Sequence, residues 1–171
     1  MNVRPERNEA AEYHWTYINQ VTGNDVLATL ANQVNDMADL VKDVSEERSL
    51  YRYAEGKWSF REALGHINDT ERVFAYRALW FARGFSEPLP SFNQDTAMAG
   101  SDAHKRSWAS HVEDWTAVRA ATRTLFENLP AESWSRSGTA SGGLFTVRAM
   151  AYITAGHVEH HMRIFRERYL K

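Results

Sequence analysis

Cysteine is absent from the 171 residues, so the chain has no disulfide, no thiolate metal ligand and no cysteine nucleophile. Any metal or acid–base chemistry falls to histidine and the carboxylates. An excess of either charge is missing too: 20 Lys and Arg against 22 Asp and Glu leave a formal net charge of −2, and the pI is near 6.4. No whole-molecule field draws the protein to phosphate backbones or anionic lipid, so nucleic acid is not an expected partner. Polar residues interrupt every apolar stretch short of the ~18 residues a membrane span needs, and residues 1–15 lack the apolar segment of a secretory signal. No membrane association and a cytoplasmic location are the expectations. What is present, 43% hydrophobic, 12% aromatic and 25% charged residues, is the composition of a soluble globular protein, and the length suits a single domain over 1–171.

Helical periodicity dominates the order of the residues. From Leu27, the apolar positions Leu30, Val34, Met37, Val41 and Val44 recur at steps of three and four, the pattern of one buried helix face. A second helix is predicted over 58–83. Ser59 and Glu62 have capping-box spacing, while Ala63, Ile67, Thr70, Phe74, Ala78 and Phe81 form an inner stripe that Gly84, Pro88 and Pro90 terminate. A loop is expected from there to about Ser101. Ser101 and Asp102 suit the start of a third helix carrying Trp108, Val112, Trp115, Val118, Leu125 and Phe126 up to Leu129 and Pro130. The Ser- and Gly-rich stretch 131–143 reads as a second connection, after which Thr146 can cap a fourth helix running through Leu170. With a shorter helical piece around 13–21 and no repeat or β pattern of sufficient length, the expected fold is all-α: a four-helix bundle with a short extra N-terminal helix. Connections longer than about 12 residues are unusual in a simple bundle and are more often lids or crossovers than idle loops.

Seven histidines occur, at 14, 66, 104, 111, 157, 160 and 161. His157 and His161 form an HxxxH pair one helical turn apart, so both imidazoles can reach one metal ion. At about 100° per residue, the pair lies in the arc that also holds Met150, Ile153, Ile164 and Phe165. His160 falls at the margin of that arc and is assigned to the rim or an outer shell. An open catalytic site usually takes a third protein ligand from elsewhere, and His66, on the inner side of the second helix, is the natural candidate. His111 on the third helix also sits near an apolar face and stays open as an alternative. Asp69, about one turn from His66, could orient its imidazole through a hydrogen bond, although a solvated charge is the plainer reading. Glu62 could serve as a general base, but its capping position favours a structural duty. Arg77 shares the face of His66, yet at about 16 Å along the axis it is too far for direct contact, and a phosphate or carboxylate clamp in the cavity stays open as its role. The connections 85–100 and 131–145 are long enough to wall a cavity, and Phe92, Asn93 and Trp134 are the substrate-binding candidates they supply.

Four stretches resemble one family. Tyr53-Ala54-Glu55-Gly56-Lys57-Trp58-Ser59, Gly65-His66-Ile67-Asn68-Asp69-Thr70-Glu71-Arg72, Leu89-Pro90-Ser91-Phe92-Asn93-Gln94-Asp95 and Ala155-Gly156-His157-Val158-Glu159-His160-His161 are similar to the motifs of DinB-like (damage-inducible protein B-like) metalloenzymes. The resemblance covers most of the chain. It implies a four-helix bundle with one histidine from the second helix and an HxxxH pair from the last around a divalent metal, here His66, His157 and His161. It suggests zinc or nickel, and a homodimer. It says less about the reaction, because one bundle hosts several chemistries. The expected function is a metal-dependent enzyme acting on a small molecule, foremost a transferase that joins a low-molecular-weight thiol to an electrophile. A metal-dependent hydrolase is the alternative, and a non-catalytic bundle that binds a metal or small ligand is the reading from a different class.

Overall fold

A computed structural model describes residues 3–171. A short helix α1 (Trp15–Ile18) follows a 3-10 turn and precedes α2 (Val26–Val41), which Asp25 caps by accepting a hydrogen bond from the Ala28 amide. The next long helix, α3 (Phe60–Ala82), starts at the predicted capping box: the Ser59 side chain accepts from the Glu62 amide, and the Glu62 carboxylate accepts from the Ser59 amide. Between Gly84 and Ser101, where the Pro-rich sequence predicts only loop, lies α4 (Gln94–Gly100), capped by Asn93. The following helix, α5 (Trp108–Glu127), begins six residues later than Ser101 and Asp102 suggest. Asp102 adopts a left-handed φ of 50° and enters a 3-10 turn instead, leaving Ser107 as the cap.

A second correction concerns the Ser- and Gly-rich connection, which contains a hairpin of β1 (Ser137–Ala140) and β2 (Gly143–Thr146). Ser141 and Gly142 both take positive φ at its two-residue turn, the conformation that matches the right-handed twist of paired strands. Gly138 lies flat against Phe81, where a Cβ would stand 2.1 Å from the ring. Thr146 then caps α6 (Val147–Ile164), which ends in a π-helical turn over Phe165–Tyr169.

Helices α2, α3, α5 and α6, of 16, 23, 20 and 18 residues, form the predicted four-helix bundle. Each of α2 and α3 packs on both α5 and α6, so the two pairs alternate around the axis, and α1 lies on α6. No helix among the described residues is long and apolar enough to cross a membrane.

The core divides into two apolar halves. One holds Leu30, Phe74, Phe81, Phe126, Met150 and Ile153; the other holds Met37, Phe60, Leu64, Ile67, Trp115, Val158 and Phe165. On each helix the residues between the two halves are polar and buried: Gln33 on α2, His66, Thr70 and Glu71 on α3, Arg119 on α5, His157 on α6. A polar layer thus crosses the middle of the bundle, and its histidines define the site.

Candidate metal centre

Ligand geometry begins with α6. His161 follows His157 by four positions, so both rings leave the helix on one face, and their Nε2 atoms lie 3.2 Å apart. His66 approaches from α3, its Nε2 3.2 Å from that of His157. Ring nitrogens of the three histidines all lie within 4.8 Å of one another. Zn–N bonds of about 2.0–2.1 Å around a tetrahedral ion would put ligand nitrogens about 3.3 Å apart, so the donor set fits a divalent metal. The hydrogen-bond alternative is poorer. A neutral Nε2 offers one lone pair or one N–H, yet His157 Nε2 faces two other Nε2 atoms at the same distance.

Electrostatics favour the neutral, ligating form. Burial holds His66 down, to about 4, against the pull of Asp95, and the neighbouring His160 adds a smaller push in the same direction as burial. Burial likewise places His157 and His161 well below the usual range, reinforced by the other histidines and, for His157, by Arg119. The polar layer locks α6 from behind. Arg119, fully buried, donates to Glu71 at 2.7 Å and to the Gln33 side-chain oxygen at 2.9 Å. Gln33 donates in turn to the Ala155 carbonyl and the Glu159 carboxylate, on either side of His157.

The remaining candidates separate cleanly. His160 turns to the rim, where its Nδ1 meets Gln20 at 3.4 Å and its ring abuts Tyr17. His111 is buried on the other side of α3 with its Nε2 on the Ala103 carbonyl, away from the cluster. Thr70, not Asp69, meets His66 Nδ1, at 3.3 Å, because i+4 shares the face of His66 while i+3 swings outward. Asp69 instead faces Arg72. Glu62 is occupied as a cap and by Arg52 at 2.8 Å, which holds its carboxyl below the usual range despite burial. Phe92 and Asn93 line the cavity beside His66 and His157. Trp134 does not: it is buried in the core against Phe126, because the 3-10 turn over Ala131–Ser135 folds it inward.

The cavity has two arms that meet at Tyr13, Tyr17, His66, Gln94 and Asp95. One, of about 410 Å³, runs past His161 to Tyr53, Lys57 and Trp58; the other, of about 360 Å³, runs past His157 to Phe74, Phe92 and Arg77. Asp95 and Tyr17 are functional candidates that periodicity misses, since one sits on the unpredicted α4 and the other on the short α1. Burial and the Tyr13 hydroxyl at 3.1 Å push the Tyr17 phenol up, so it keeps its proton at neutral pH. Gly156 makes this placement possible, for a Cβ there would stand 2.0 Å from the Tyr17 carbonyl oxygen.

Comparison with known proteins adds family to geometry. No curated protein matches the sequence. Among solved structures, the chain is similar in fold to YfiT from Bacillus subtilis, with a TM-score of 0.72 at 14% identity over 97% of this chain and 91% of that one. That protein is described as a probable metal-dependent hydrolase with an unusual four-helix bundle topology. The family model of the DinB superfamily matches residues 7–165, nearly the whole bundle together with all three clustered histidines. The chain belongs to the DinB superfamily.

Proposed function

We propose that the protein is a metal-dependent hydrolase of a small molecule, with His66, His157 and His161 as ligands of one divalent ion, zinc or nickel. The observation that carries this reading is the convergence of three neutral imidazoles, two buried and that of His161 half-buried, at ligand spacing on the floor of an open two-armed cavity. A metal held there supplies Lewis acidity, which makes water or a thiol nucleophilic at neutral pH. The chain's own groups handle protons and position. Asp95, an exposed carboxylate at the junction of the arms, is suited to accept a proton from the attacking water. Tyr17, which lines the same junction from α1, keeps its proton and can donate to a developing anion. Thr70 fixes the ring of His66.

Thiol transfer is the second reading, and the two arms favour it: one can hold a low-molecular-weight thiol while the other holds the electrophile. A thiol also needs no strong base once its pKa is lowered, so this route depends less on Asp95. The test is a panel of ester, amide and thiol-plus-electrophile assays on metal-loaded, stripped and His161→Ala protein. Hydrolysis that requires both metal and His161 and falls in Asp95→Asn supports the first reading. Thiol-dependent turnover indifferent to Asp95→Asn supports the second, and turnover that survives metal removal and His161→Ala sinks both.

A further inference from the structure

The far end of the second arm holds a cation without an acid. Arg77 is only 6% exposed, a burial that a guanidinium tolerates poorly unless paired. Its Nη2 donates to the Pro90 carbonyl at 2.9 Å and the Ser141 hydroxyl at 3.0 Å, both neutral acceptors. Among the described residues no carboxylate forms an ion pair with it. Nη1 and Nε have no protein acceptor and are not fully enclosed, and the side chain lines the second arm, so donors remain free for a ligand there. By contrast, the buried Arg119 has Glu71. Burial lowers the pKa of Arg77, yet a guanidinium remains a cation at neutral pH.

The arm is polarised along its length. Asp95, the one acid in its wall, acts on His66 at the metal end, whereas Arg77 stands at the other end with Ser141 and His14. His14 is held down by burial and by Arg77 itself, so Arg77 is the sole formal cation there. Eleven residues of α3, about 16 Å of helix axis, separate His66 from Arg77, and the length of the arginine narrows that to the span of a small molecule.

We propose that Arg77 anchors an anionic tail, carboxylate or phosphate, on the substrate whose reactive end lies at the three histidines. The assignment rests on the metal-enzyme reading above and names its substrate class: small molecules with an acidic group remote from the reacting bond. The two bonds of Nη2 tie the guanidinium to the hairpin turn and to the 89–93 segment, which fixes its position and leaves Nη1 and Nε free to donate to a ligand. The hairpin is thus a device for aiming a specificity-determining residue.

Two arms test this. Calorimetry on the zinc-loaded protein compares suberic acid monohydroxamate, a metal-binding head with a carboxylate tail, with its neutral carboxamide counterpart. The acid is expected to bind at least tenfold more tightly, and the ratio to fall within twofold in Arg77→Gln while the carboxamide keeps its affinity. A merely structural Arg77 would weaken both compounds equally, and that result overturns the proposal. The second arm uses metal-stripped wild-type protein and follows the Arg77 Nε–Hε NMR resonance during titration with glutarate or inorganic phosphate. A saturable shift is expected, and the anion that saturates first identifies the tail. If neither hydroxamate binds but an anion still moves the resonance, the metal reading fails and the anion site stands. If both hydroxamates bind equally and no anion moves the resonance, the metal reading stands and the anion site fails.

Discussion

The three histidines show how much a single spacing can carry. His157 and His161 were legible because i and i+4 share a helix face whatever surrounds them, whereas His160, one position away, must point elsewhere. His161→Ala is expected to abolish stoichiometric metal binding and His160→Ala to leave it near the wild-type level; elemental analysis after gel filtration reads both, and equal losses would sink the ligand assignment. The partner of His66 was harder to see, because the sequence offers Asp69 with a solvated charge as its plainer reading, while geometry selects the uncharged Thr70. An outer-shell partner fixes the imidazole's tautomer and is worth about 10–100-fold in metal affinity. Thr70→Val is therefore expected to weaken zinc binding by that order and Thr70→Ser to restore most of it, with Asp69→Asn nearly silent. Competition with a chromophoric chelator measures all three.

At the scale of elements, the sequence displayed long helices and concealed short pieces. Ser59 with Glu62, and Thr146, announce helix starts because their side chains replace missing backbone partners, an effect local to a few residues. The hairpin is different: strands of four residues containing Gly138 and Gly143 have no periodicity of their own and owe their position to Phe81 and to the Leu89 bridge. Helix α4 is likewise fixed by its place over the cavity and by the Asn93 cap, with Pro88 and Pro90 masking it. Gly156 is the element-scale contact with the clearest consequence. A methyl group there meets backbone of α1, which cannot turn aside as a side chain can. Gly156→Ala should cost about 1–3 kcal/mol and free α1. Urea unfolding gives the first quantity; hydrogen exchange gives the second, as faster exchange at residues 15–21 with the α5 amides unchanged. Wild-type protection of α1 in the variant would show that the close approach is not what seats Tyr17.

The whole molecule is organised by its polar layer, which joins all four bundle helices between two apolar halves. Glu71 and Arg119 are its charged centre, and removing one partner leaves the other buried and uncompensated, a loss of about 3–5 kcal/mol. Glu71→Leu alone should therefore destabilise far more than Glu71→Leu combined with Arg119→Met, a comparison that denaturant unfolding settles. The histidines of the same layer tie stability to pH. His66 is held from the usual 6.5 to about 4 by burial, and His157, His161 and the distant His111 are lowered for the same first reason. Above pH 6.5 neither the folded nor the unfolded chain protonates them, and stability is full. As the pH falls below 6.5 the unfolded chain takes up protons that the folded, metal-free chain refuses, so stability declines down to about pH 4. From His66 alone the decline is about 3 kcal/mol, at about 1.4 kcal/mol per pH unit. Zinc at a hundredfold excess over its Kd should add about 2.7 kcal/mol at pH 7. That increment should hold from pH 7 to pH 5, because the ligands of the folded site stay free of protons until about pH 4, and it should shrink only as the pH approaches that value. Paired urea titrations of stripped and zinc-loaded protein at pH 7, 6, 5 and 4 measure the difference. A zinc increment that already falls between pH 7 and pH 6 would mean that these imidazoles take up protons in the folded chain near their usual value, against the lowering that burial imposes.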